Sequence, residues 1–382
     1  MVRCLHLSAD IKTSHSKLKE TSCMIQYNRF LSIVTALLTI SAIAGKPHVV
    51  HKPAPSCIPG AVMVTADADG EPSFECLGEA APGKRTEPDT IFWIASNTKG
   101  IFSALVLNLV GEGKLSLEDK VEKYFPSWGK LAAKNRPTLR MLLNNTSGLP
   151  FFTNTPLPQP GVDAIAERAA EQPLQYEPDS KYLYSNWGFD VAAAIVEKVT
   201  GRPFDVEMKE RIFDPLGMND TTFSPSPEQN ARRAAIYRLN PGKQPEPIVP
   251  YKRRLVHPYQ NIGENPEAGS GLLSTPKDMI KFFQMIARGG RAPDGRIIIP
   301  EHLIRKLAEK QTPQGIDMKY SFGMYVNGKG TISHNGAAGT WGEANISTRT
   351  ARVYMINIRG KRKEANAFFE NWKRKSRCAT DK

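Results

Sequence analysis

Hydrophobic positions change period along the chain, and the changes mark out its elements. An uncharged apolar run from Phe30 to Ala44 comes first. Residues 58–80 read as two strands turning near Asp69-Gly70. Over 97–112 the period becomes helical: Ile101, Phe102, Leu105, Val106, Leu109 and Val110 share a broad face, and Gly111 and Gly113 end it. Short helices fit 139–144 and 162–172, either side of a stretch broken by prolines. Residues 189–200 form an amphipathic helix stopped by Gly201 and Pro203. Thr275-Pro276-Lys277-Asp278 supplies a cap and a proline at the first helical position, which predicts a helix over 277–288. From Tyr320 the pattern predicts strands over 320–326, 331–334, 341–347 and 351–358, with an Asn327-Gly328 turn after the first. A last amphipathic helix uses Ala365, Phe368, Phe369 and Trp372.

Strands therefore lie at both ends and helices in the middle. The expected fold class is α/β (α+β), with the terminal strands joined in one antiparallel sheet flanked by helices. The expected division is a discontinuous α/β subdomain, 56–125 with 269–376, and a mostly helical inserted subdomain, 126–268. Residues 45–55, bearing Pro and His, read as a linker, and 377–382 as a basic tail.

Composition excludes some classes. With 382 residues, 40% of them hydrophobic, and 32 aromatics, the chain can bury a core rather than stay disordered. Five Cys exclude a disulfide-dense scaffold. The net charge of +13 suggests an anionic partner until it is localised. Residues 1–44 hold five basic and two acidic residues, and 359–382 hold nine and three, so the body between carries only about +4. A run such as Lys373-Arg374-Lys375 is read as a solvated end, and no nucleic-acid partner is expected.

The first apolar run follows Arg29 and ends in Ala42-Ile43-Ala44, the three regions of a secretory signal peptide. Its 15 residues are too few for a comfortable membrane span. Residues 24–44 are expected to be the signal, with Met24 as the start and 1–23 as an extension of the reading frame. The exported chain is expected in the periplasm or outside the cell, with no stable membrane span after cleavage. Cys57, Cys76 and Cys378 then remain. Cys57 and Cys76 flank the first hairpin, and either a disulfide or two unpaired thiols fits. No Cys/His spacing suggests a metal site, and no cofactor is implied.

Candidate chemistry begins with Ser-x-x-Lys, which occurs five times, so its context must choose. Two copies precede the signal, Ser127/Lys130 lies in a turn, and Ser274/Lys277 fits an N-cap. Only Ser96/Lys99 opens a long apolar helix after a strand-like run, Ile91-Phe92-Trp93-Ile94. Three residues along a helix put both side chains on one face. The helix N-terminus favours negative charge on the serine oxygen, and apolar surroundings can turn the lysine into a base. A plain N-cap serine beside a surface lysine fits the same letters. Tyr184-x-Asn186 precedes the helix at 189, and His334-x-Gly336 follows a short strand and precedes the small residues Ala337-Ala338-Gly339.

Ser96-x-x-Lys99, Tyr184-x-Asn186 and His334-x-Gly336, in that order, resemble the three motifs of the class C β-lactamase-like serine hydrolases. That superfamily includes DD-peptidases, D-aminopeptidases and family VIII esterases. LLNNTSGL (142–149), PLGM (215–218) and GSGLLSTPKDM (269–279) resemble it too, and the likeness spans about 58–372. The resemblance implies an acyl-enzyme on an amide or ester, with a small-molecule or peptide substrate that includes peptidoglycan-derived ones. Ser96 would be the nucleophile, and Lys99 or Tyr184 would take its proton. Asn186 would orient Lys99 and the substrate. His334 and Gly336 would shape the substrate edge, and the N–H groups of Ser96 and Ala337 would form the oxyanion hole. Many β-lactamases of the superfamily carry Lys-Thr-Gly at the third motif, where this chain has His334-Asn335-Gly336. Histidine is mostly neutral at neutral pH, so a D-amino-acid peptidase or carboxylesterase is expected ahead of a β-lactamase. A catalytically weak penicillin- or peptidoglycan-binding relative is the alternative.

Overall fold

Strands from the two ends of the chain lie side by side in one sheet. The computed structural model describes residues 47–56, 58–151, 161–239, 246–247, 266–360 and 363–380. The chain divides into two units, Met1–Pro47 and His48–Lys382, and every element below belongs to the second. The expected signal peptide, the segment before it, Cys57 and much of the proline-rich stretch 223–266 lie outside the described residues.

The N-terminal strands are β1 (His48–Lys52), β2 (Gly60–Asp67), β3 (Ser73–Ala81), β4 (Lys84–Arg85) and β5 (Phe92–Trp93). Helices follow: α1 (Asn97–Gly111), α2 (Leu139–Leu143), α3 (Val162–Ala170), α4 (Trp187–Thr200), α5 (Phe204–Met208), α6 (Asp214–Leu216) and α7 (Pro227–Ala231). Then come β6 (Tyr237–Leu239), β7 (Glu246–Pro247), β8 (Leu273–Ser274), α8 (Pro276–Ala287) and α9 (Glu301–Leu307). The chain ends with β9 (Tyr325–Val326), β10 (Thr331–Asn335), β11 (Trp341–Asn345), β12 (Thr350–Met355), β13 (Ile358–Gly360) and α10 (Lys363–Thr380).

The main sheet has the order β1-β3-β2-β12-β11-β10-β9, with β4 beside β3. The ends of the chain meet where β12 pairs antiparallel with β2, Val353 opposite Val64. Alternate residues feed two cores, as the two-residue period requires. Val62 and Val64 of β2 and Ala351, Val353 and Met355 of β12 face the core that contains α1 and α8. Ala61 and Met63 of β2 and Tyr354 of β12 face a second, smaller core against Phe368, Phe369 and Trp372 of α10. β12 is buried along its whole length, on both faces, and its one charged residue, Arg352, is paired with Glu343.

Several boundaries differ from those the sequence suggests. Residues 48–52 form a strand, not a linker, and β1 adds to β3 in parallel, so the sheet is mixed at that edge. As an exposed edge strand, His48–Lys52 has no buried face and hence no alternation to read. The strand expected over 320–326 shrinks to β9, because a tight turn closes at Ser321–Met324, where the Ser321 N–H donates to Met324 O at 2.8 Å. Helix α10 continues to Thr380, four residues into the segment read as a tail. Thr275 and not Ser274 caps α8: its hydroxyl accepts from the Asp278 N–H, with Pro276 at the first helical position. Cys76 is a free thiol, buried, and pushed up to about 12 chiefly by burial.

Candidate active site

Two of the five Ser-x-x-Lys pairs lie outside the described residues, and among the three that are described only Ser96/Lys99 has a built environment. β5 pairs with β8, and the clamp continues beyond both: the Ile94 N–H donates to Leu272 O at 3.1 Å, and the Trp93 indole donates to Ser270 O at 2.7 Å. Ala95 is held at φ +48, in the left-handed region, immediately before the serine. Such a backbone costs about 1–3 kcal/mol and persists only where its surroundings enforce it. Here Thr98 of α1 enforces it, donating its hydroxyl to Ala95 O at 2.6 Å and accepting from the Leu272 N–H at 3.2 Å.

Ser96 occupies the N-cap position of α1, yet its side chain makes no capping hydrogen bond. Its hydroxyl instead faces the Tyr184 phenol. Both residues remain partly exposed. The helix is thus nucleated by burial and by Thr98, and the serine oxygen is left for other work.

Lys99 is the surprise for a charged residue, with no solvent exposure at all. Its Nζ donates to Asn186 Oδ1 at 2.5 Å and to Gly269 O at 2.7 Å. It lies 4.6 Å from the centre of the Tyr184 ring and 5.2 Å from that of Phe189. Burial lowers its pKa to about 7, against the opposing fields of Asp190 and Glu267. Burial also pushes the Tyr184 phenol well above its usual range, and the Ser96 hydroxyl offsets only part of that. Gly269 packs closely on the Lys99–Asn186 pair: a Cβ there would stand 3.0 Å from Asn186 Oδ1 and crowd it.

The third motif closes the site from β10. A Cβ on Gly336 would stand 2.2 Å from Thr340 Oγ1 and 2.3 Å from Ile94 O, so its absence lets the end of β10 lie against the turn at Ile94–Ser96. Ala337 follows, exposed. Neither the Ser96 nor the Ala337 N–H has an intramolecular backbone acceptor among the described residues. His334 is buried, and both ring nitrogens are engaged. Nδ1 donates to Asn335 O at 2.8 Å, and Nε2 accepts from the Tyr320 hydroxyl at 3.0 Å. Burial, then Lys99, lowers its pKa to about 3, so the ring is neutral. Its ring lies 5.0 Å from that of Tyr325 and 6.3 Å from that of Tyr184.

These elements follow one another in the order and spacing of a single family, whose sequence profile, described as Beta-lactamase, matches residues 50–371. The chain belongs to the Beta-lactamase family. Within that family it is 31% identical over 241 residues to the D-alanyl-D-alanine-carboxypeptidase/endopeptidase AmpH of Escherichia coli (strain K12), covering 59% of this chain and 56% of AmpH. It is 29% identical over 280 residues to esterase EstB of Burkholderia gladioli, covering 64% of this chain and 67% of EstB. Among solved structures, EstCE1, a hydrolase with promiscuous acyltransferase activity, superposes with a TM-score of 0.67 at 20% identity, covering 80% of this chain and 90% of EstCE1. This β-lactamase fold and its hydrolase relatives make the chain a serine hydrolase.

Sequence reasoning reached Ser96, Lys99, Tyr184, Asn186, His334, Gly336 and Ala337, and the structure gathers their segments at one end of β10 and α1. It missed Asp190, Glu267, Gly269 and Tyr320. Asp190 left a signal: it is an acid on an apolar helix, four residues and one turn after Asn186. Glu267 and Gly269 precede β8 in a segment without periodicity, and Tyr320 meets His334 only through the turn at 321–324. Among the described residues, no group of three or more His, Cys, Asp or Glu could hold a metal, and no helix is long and apolar enough to cross a membrane.

Proposed function

We propose that this chain is an exported serine hydrolase that cleaves an ester or amide through an acyl-enzyme on Ser96. Lys99 carries the reading. A neutral amine has two N–H donors and one lone pair. The Asn186 and Gly269 carbonyls use the two donors, which leaves the lone pair for the serine proton. With its pKa near 7, Lys99 holds that lone pair at neutral pH, whereas Tyr184 stays a phenol. Lys99 is therefore the base and Tyr184 the donor to the leaving group.

Ser96 Oγ attacks the substrate carbonyl carbon as its proton passes to Lys99 Nζ. The Ser96 and Ala337 N–H groups hold the resulting oxyanion; such donors are typically worth about 3–4 kcal/mol. Tyr184 gives its proton to the leaving oxygen or nitrogen and recovers one from Lys99. Water, giving a proton to Lys99, then attacks the acyl carbon; the acid is released as the bond to Ser96 Oγ breaks, and Lys99 returns that proton to the serine.

Substrate class follows from His334. A lysine at that position would offer a fixed cation for a substrate carboxylate, but His334 is neutral and closed off by Tyr320 and Asn335. An ester, or a D-amino-acid peptide, is favoured over a β-lactam, in keeping with the names of the esterase and carboxypeptidase relatives. The run from Arg29 to Ala44 supports export to the periplasm or the medium. A short-chain aryl ester, a D-Ala-D-Ala peptide and a cephalosporin, assayed side by side, test the order. The ester or the peptide should give the highest kcat/KM, and a dominant cephalosporin turnover would overturn it.

A further inference from the structure

Two buried carboxylates behind Lys99 have no place in the steps above. Asp190 lies on α4, one turn beyond Asn186, and is almost wholly buried. Its Oδ1 accepts from the Ala268 N–H at 3.1 Å, and the Gly269 N–H lies on the same side of the carboxylate. Gly269 is the residue whose carbonyl holds Lys99 Nζ. Helix α4 therefore grips the lysine twice, directly through Asn186 and indirectly through Asp190 and the 268–269 peptide. Glu267 sits next to that peptide. Its Oε2 accepts from the Ser270 hydroxyl at 2.7 Å, and its Oε1 is buried with no hydrogen-bond partner.

We propose that Asp190 is a positioning residue for the base. It fixes the Gly269 carbonyl against Lys99 Nζ, and its carboxylate, backed by Glu267, holds the proton that Lys99 carries between attack and leaving-group departure. A buried ammonium with only two neutral carbonyls around it is poorly stabilised. An acid one shell away stabilises it without competing for the lone pair, because its Oδ1 is held by the Ala268 N–H.

The groups that set this balance can be named. Burial raises the Asp190 pKa to about 7, and Lys99 from α1 pulls it down only in part. Asp190 raises that of Glu267, whose burial already pushes it up. Both acids raise Lys99. His334 from β10 feels Lys99 and is itself neutral. Removing the charge of Asp190 should thus make Lys99 a weaker base, one that loses its proton at lower pH.

The proposal rests on Ser96 and Lys99 as nucleophile and base, and its test is separable from theirs. Three full-length enzymes are compared by their pH profiles for ester hydrolysis: wild type, Asp190→Asn and Asp190→Ala. Asp190→Asn keeps an oxygen for the Ala268 N–H and loses the charge. Its acid limb of kcat/KM should move down by about one unit or more, and its alkaline plateau should fall below wild type, because the ammonium formed on attack has lost its counter-charge. Asp190→Ala loses the grip on the 268–269 peptide as well. Its plateau kcat should fall by about 100-fold with little change in KM. An acid limb at the wild-type pH in Asp190→Asn overturns the proposal, as does a wild-type plateau in Asp190→Ala. If Asp190→Ala does not fold, Asp190→Asn decides alone. The underlying reading fails separately, through labelling that survives Ser96→Ala in an otherwise wild-type chain.

Discussion

A lysine with no access to water must be stabilised by its neighbours or give up its proton, and Lys99 does something of both. Two carbonyl oxygens hold it, and burial brings its pKa to about 7. The consequence for activity has a definite sign. Below that pKa the amine is protonated and cannot accept from Ser96, so kcat/KM should rise with pH through a limb centred near 7. Tyr184, raised by burial, should add no limb below its ordinary range. Lys99→Met should lower kcat/KM by about 10²–10⁴-fold, the usual worth of a positioned base, and should remove that limb. A pH–rate series on both proteins checks this. Much of the chemistry at this scale was legible, because Ser96 alone among its rivals opened an apolar helix. What could not be read was the surround: burial of Lys99 depends on a segment 170 residues away in sequence, and His334 looked available until Tyr320 was found on its Nε2.

Elements bring these residues together by close approaches that tolerate no extra atom. The end of β10 meets the nucleophile turn at Gly336, where a Cβ would fall 2.3 Å from Ile94 O, a backbone atom without freedom to withdraw. Gly336→Ala should therefore push Ala337 away from Ser96. The expected cost is about 1–3 kcal/mol of stability, with a larger proportional loss in kcat than in the affinity for substrate, read from thermal unfolding and steady-state kinetics together. The helices at α1, α4 and α8 were legible to within two or three residues because each is a long apolar stretch with a clear cap or stop, although α1 and α4 are buried nearly all round. β5 showed as the strand-like run 91–94, but β1 and β8 did not show, since an exposed edge strand or a two-residue strand leaves no period in the sequence.

At the scale of the whole molecule, the +13 charge is carried mostly by the two ends, and one of those ends is part of the fold. Helix α10 lies across the sheet, with Phe369 stacked near Trp341 and Tyr354. A buried ion pair, Arg352 with Glu343, anchors it: the same guanidinium donates to Lys373 O at 2.8 Å and to Ser376 Oγ at 2.9 Å. Arg352→Met takes the guanidinium from the buried Glu343 carboxylate and removes its two hydrogen bonds to the last turns of α10. It should destabilise the protein by about 3–5 kcal/mol, seen as a lower Tm and faster hydrogen exchange over 368–376, while a folded fraction keeps the pH limb of Lys99. The amphipathic half of α10 was visible in the sequence, but its basic continuation looked like a solvated tail because charge alone does not reveal a helix.

The central claim is that Ser96 forms the acyl-enzyme. Labelling by a fluorophosphonate, followed by intact mass, tests it most directly. Wild type should gain one adduct, faster as pH rises through 7, and Ser96→Ala should gain none. An adduct of equal yield on Ser96→Ala would contradict the account.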